Sequence, residues 1–77
     1  MVINNNPTDR PEIILLNRRA EVYTTYFFPM DVLAFLNRTG RMNNFSVVIH
    51  AGKRSMFIDK IDPSTFVNDF NAFSQQQ

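Results

Sequence analysis

Not one of the 77 residues is a cysteine. A chain this short therefore has neither a disulfide framework nor a thiolate metal site to hold it, and a thiol nucleophile is excluded as well. What remains is apolar burial, and a domain of this size buries only about 60% of its unfolded surface. The means are present. Hydrophobic residues make up 44% of the chain and eight residues are Phe, which argues against disorder as a whole-chain state. No apolar run approaches the roughly 20 residues needed to cross a bilayer, and the polar opening of the chain, with three consecutive Asn at 4–6, does not read as a signal peptide. The expectation is a cytoplasmic protein with no membrane contact.

Local signals divide the chain into elements. Residues 1–10 read as a flexible N-terminal tail and 74–77 as a frayed C-terminal one, which leaves a single domain over 11–73. Glu12-Ile13-Ile14-Leu15-Leu16-Asn17 is a continuous apolar run that periodicity alone does not assign. A helix opened by Pro11 is one reading; a six-residue strand followed by a turn at Asn17-Arg18-Arg19 is the favoured one. Glu21 to Phe28 is almost wholly β-branched or aromatic and reads as a strand. Its two faces would be Val22, Thr24, Tyr26, Phe28 and Glu21, Tyr23, Thr25, Phe27, neither of them cleanly polar. Pro29 ends that strand and opens a helix to Thr39, with Asp31 in the first turn, Arg38 in the last and Gly40 placed for a left-handed stop.

The second half repeats the pattern. Phe45 to Ala51 reads as a third strand and Ser55 to Ile61 as a fourth, joined by a hairpin turn at Gly52-Lys53-Arg54. Alternation puts Phe45, Val47, Ile49 and Ala51 on one face, and groups Phe57 with Asp59 and Ile61. Asp62 as N-cap and Pro63 at the first position signal a last helix, whose apolar stripe is Phe66, Val67, Phe70 and Phe73. The predicted order is β-β-α-β-β-α. The fold class is α+β: a small two-layer sandwich of an antiparallel-rich sheet of about four strands with two helices.

Charge is unevenly spread. The formal total of +1 divides into −1 over residues 1–31, +4 over the acid-free residues 32–58, and −2 over residues 59–77. Arg18, Arg19, Arg38, Arg41, Lys53 and Arg54 all fall at predicted element ends. If they converge they form a basic surface suited to phosphate, with the 52–55 hairpin tip able to follow a nucleic-acid groove. Gly52-Lys53-Arg54-Ser55 lacks the glycines and spacing of a phosphate loop. His50 is the single histidine and has no recognisable catalytic companion in sequence. Asp59 and Asp62 lack the spacing of a metal site. No catalytic residue, cofactor, metal or small-molecule substrate is expected.

Function rests on what a small core leaves over. Tyr23, Tyr26, Phe27 and Phe28 crowd one strand, more aromatic surface than two short helices readily cover. The expected function is a small non-enzymatic protein-binding module, an accessory or modulator protein, acting through a sheet edge or exposed aromatic surface. By base rate alone, small phage- or plasmid-type proteins fit this profile. Its partner would be another protein or a second copy of itself as a homodimer. The alternative is a nucleic-acid-binding protein using the basic turns.

Overall fold

A computed structural model describes residues 10–75, and its turn chemistry makes two hairpins. β1 (Glu12–Asn17) and β2 (Val22–Tyr26) pair antiparallel, so the apolar run at 12–17 is a strand. Asn17 organises their turn. Its side-chain oxygen accepts the backbone N–H groups of Arg19 at 2.9 Å and Glu21 at 3.0 Å, while its carbonyl accepts the N–H of Ala20 at 2.9 Å. Ala20 closes the loop at φ 63°, the left-handed position of a three-residue hairpin. In the second hairpin β3 (Phe45–Ala51) and β4 (Arg54–Ile58) flank a two-residue turn. There Gly52 has φ 60°, which fits a turn with glycine at its first central position.

The hairpins join side by side. β1 pairs antiparallel with β3, and the sheet order is β2-β1-β3-β4. The crossover between them carries α1 (Pro29–Thr39), followed by a single 3-10 turn at Met42–Asn44; α2 (Phe66–Ser74) follows β4. This is the small α+β domain with the order β-β-α-β-β-α that the sequence predicts. Of the tails expected at 1–10 and 74–77, residues 1–9, 76 and 77 lie outside the described residues, while Ser74 is the last residue of α2 and its hydroxyl donates to the Phe70 carbonyl at 2.8 Å.

Period-2 alternation explains which face is covered. Ile13 and Leu15 of β1 stand beside Ile49 and Val47 of β3, and all four are fully buried. Val32 and Leu36 from α1 and Phe66 and Phe73 from α2 complete that core. Neither helix is long enough to persist in water by propensity alone, so packing on this face holds both in place. α1 stops at Gly40, whose φ of 69° lets its own N–H and then that of Arg41 return to the carbonyl of Leu36.

Three elements differ from expectation in their bounds, each for a physical reason. β2 is shorter than 21–28, and its register with β1 jumps: Leu15 faces Thr24 but Leu16 faces Val22. Tyr23 is the extra residue of a β-bulge. Val22 therefore leaves the face it would share with Thr24 and Tyr26, and the Tyr23 ring takes the inner side, 5.1 Å from Phe45 and 5.7 Å from Phe35 between centroids. β4 starts at Arg54, which pairs with Ala51 across a two-residue turn rather than lying in a three-residue one, and it ends at Ile58 rather than Ile61. Alternation fails beyond it, and Ile61 turns into the core with 5% exposure. Finally, α2 begins at Phe66, one turn after Pro63. Asp62 does cap, but it caps the preceding turn: its Oδ1 accepts from the Ser64 N–H at 2.9 Å and the Ser64 hydroxyl at 2.7 Å.

Candidate functional site

The helices occupy one face of the sheet, and no element among the described residues covers the other. Register builds that outer face row by row. Its central row is Thr25, Ile14, Val48 and Phe57, each opposite the next across four strands. Beside it run Val22, Leu16 and Ser46, and on the hairpin side Glu12, His50 and Ser55. The centre is apolar and its flanks are open: Val22 is 66% exposed and Phe57 59%. Ser46 is the buried polar residue of the face. At its far corner the Arg18 guanidinium reaches the Asp59 carboxylate at 3.6 Å and its backbone carbonyl at 3.1 Å. Both side chains are about half exposed, so this pair contributes little to stability; it ties the first hairpin to the end of β4.

The four aromatic residues singled out in sequence lie in two places, Tyr23 and Tyr26 beside Phe35, and Phe27 and Phe28 beside Arg10. Tyr23, 51% exposed, sits at the turn end of β2 against Phe35 and Phe45. Tyr26 is half-buried, its ring 6.3 Å from that of Phe35. Phe27 and Phe28 lie at the entry to α1, where the Arg10 guanidinium stands 4.4 Å and 5.5 Å from their ring centroids. Next to them Met30 is exposed and borders a cleft of about 280 Å³ lined by Leu33, Asn37, Met42 and Pro63.

The six cations do not form one patch. Arg18, Arg19 and Arg41 come together around a cleft of about 440 Å³ that also takes in Tyr23, Phe45 and Glu21. Arg38 stands 5.7 Å from the ring of Phe35, itself a neighbour of Tyr23. Lys53 and Arg54 belong to the hairpin at the opposite end of the strands, because Phe45 pairs with Asn17 whereas His50 pairs with Glu12. Arg54 has a structural role: its Nη1 donates to the Phe73 carbonyl at 2.7 Å and its guanidinium lies 4.4 Å from the Phe73 ring centroid. It thereby neutralises the C-terminal end of α2.

Sequence reasoning missed the outer face, although its signal was in plain view. A strand reading of Ile13-Ile14-Leu15-Leu16 puts two aliphatics on each side of the sheet, and helices on one side leave Ile14 and Leu16 without cover. Among titratable groups, Asp62 is held below the ordinary carboxylate range, first by the Ser64 hydroxyl and then by the Ser64 N–H. Among the described residues no group of three or more His, Asp or Glu gathers in a way that could hold a metal ion. No helix among them is long and apolar enough to cross a membrane. No family model matches this chain, and neither a curated protein nor a solved structure matches it significantly.

Proposed function

We propose that this chain is a small non-enzymatic protein-binding module, an accessory or modulator protein acting in the cytoplasm, whose docking surface is the outer face of the sheet. The observation that supports this is the contiguous apolar centre of Ile14, Leu16 and Val48, flanked by exposed Val22 and Phe57 with no covering element among the described residues. A sheet face of this composition in contact with water is where a partner gains most from burial. The half-buried central residues are rigid because both neighbouring strands hold them, so little ordering cost falls on binding.

A second reading has its own observation. Arg18, Arg19 and Arg41 converge on one cleft beside the exposed ring of Tyr23, the pairing of cation and aromatic that single-stranded nucleic acid uses. One set of variants separates the two. Val48→Lys leaves the inner core intact and is expected to abolish capture of a partner protein from the native host, while an Arg19→Glu/Arg41→Glu variant captures it normally. The opposite pattern, together with binding to single-stranded DNA or RNA that weakens steeply with salt, selects the nucleic-acid reading.

A further inference from the structure

We propose that two copies of this chain join through their β4 edges, antiparallel about a two-fold axis at Met56, into one continuous eight-stranded sheet. Among the described residues β4 is an edge strand. A two-residue hairpin is closed by a pair that exchanges both hydrogen bonds, here Ala51 and Arg54, and the pattern then alternates along the ladder. Arg54, Met56 and Ile58 thus bond to β3, whereas the N–H and C=O groups of Ser55 and Phe57 point outward along the open edge. Both residues are exposed.

Edge strands normally carry a guard: a proline, a central charge, a bulge or a covering loop. β2, the other edge, has the bulge at Tyr23 and is followed directly by the α1 entry. β4 has an unbroken register with β3 and neither charge nor proline between Ser55 and Ile58. Among the described residues it is the unguarded edge.

Self-pairing must bring outward-pointing residues opposite one another, which allows two-fold axes at Ser55, Met56 or Phe57. An axis at Phe57 runs the pairing past the end of β4 at Ile58, setting Ser55 against Asp59 and Arg54 against Lys60, both beyond the strand. An axis at Ser55 sets the Lys53 ammonium against Phe57 and leaves the end of the strand beyond the partner's turn. The axis at Met56 pairs Ser55 with Phe57 of the second copy and matches the full length of β4, Arg54 opposite Ile58. It also sets Lys53, in the turn, opposite Asp59, whose carboxylate also faces Arg18 of its own chain at 3.6 Å, once at each end. Charge complementarity of that kind selects both the register and the partner, because a second copy supplies it by symmetry. On the outer face the two Phe57 rings become diagonal neighbours, within aromatic reach, which gives the 59% exposed Phe57 a partner ring.

This interface is made by the β4 edge and shares Phe57 with the outer-face docking surface, but its test reads self-association and does not depend on that reading. Sedimentation equilibrium on the full chain, from about 10 µM to about 1 mM as befits a small interface, is expected to show mass rising from 9.0 kDa toward twice that value. The amide protons of Ser55 and Phe57 gain exchange protection over the same range. Ser55→Pro removes an outward N–H without touching the β3 ladder and is expected to abolish the rise. Lys53→Glu creates two like-charge contacts and weakens association at least tenfold, and Lys53→Glu/Asp59→Lys restores it; circular dichroism checks the fold of each. A mass fixed at 9.0 kDa throughout, or an association indifferent to Lys53→Glu, overturns the proposal. A monomeric Lys53→Glu chain that still captures its partner protein leaves the outer-face reading standing.

Discussion

Single residues set the turns that everything else depends on. Gly40 is the clearest case, since a Cβ placed there meets nothing within 4 Å and the constraint lies wholly in its φ of 69°. An L-residue held in that region costs about 1–2 kcal/mol. Gly40→Ala is therefore expected to lower the unfolding free energy by about that amount in urea titration, and Gly40→Asn by less, because Asn accepts the left-handed conformation more readily. This position was legible in sequence from its place after an amphipathic helix. Ala20 was not. Its φ of 63° belongs to a turn that Asn17 builds by accepting two backbone N–H groups, and alanine carries no signal for that conformation. Asn17 does carry one, as an asparagine that ends an apolar run and can fold its side chain over the following backbone.

At the scale of elements, propensity located each strand and helix, and local hydrogen bonding moved their ends. The entry to α2 shows why. Asp62 and Pro63 look like the start of a helix, and the carbonyl of Asp62 does accept the N–H of Phe66 at 2.8 Å. Thr65, with φ −121°, interrupts the helical path, so the regular helix waits for Phe66. The Asp62 carboxylate is held below its ordinary range by the Ser64 hydroxyl and N–H, which means the folded state prefers it ionised. Its contribution is complete above the unfolded carboxylate value and is lost as pH falls through the lowered folded value. The gap in thermal midpoint between the wild-type chain and Asp62→Ala is thus expected to be constant near neutrality and to shrink as pH falls below the ordinary carboxylate range. A gap that widens on acidification contradicts this account. The β2 bulge was the least legible element of all. Alternation predicts faces only while register holds, and one extra residue at Tyr23 exchanges the sides of Val22 and Tyr23.

On the scale of the whole molecule, fold class followed from the order of local signals, while the candidate surface depended on strand order. Nothing local in 12–17 says that β3, 28 to 38 residues on in the second hairpin, will lie beside it, so Ile14 and Val48 could not be joined into one face from sequence. That seam between β1 and β3 also has a kinetic meaning. Each hairpin closes over a short turn, but the seam must bring residues 12–17 against 45–51, with the entropy of the whole intervening crossover lost before any of its contacts form. The two hairpins and α1 are then expected to form early, with docking of one hairpin on the other as the barrier. Ile49→Val, at the seam and fully buried, is expected to destabilise by about 0.5–1.5 kcal/mol and to slow refolding by most of that amount in stopped-flow chevrons. Phe73→Leu, at the far end of α2, is expected to speed unfolding instead. A chevron in which Ile49→Val leaves the refolding arm unmoved places the barrier elsewhere. The join that makes the sheet continuous is thus also the step that sets how long the apolar halves remain apart and open to aggregation.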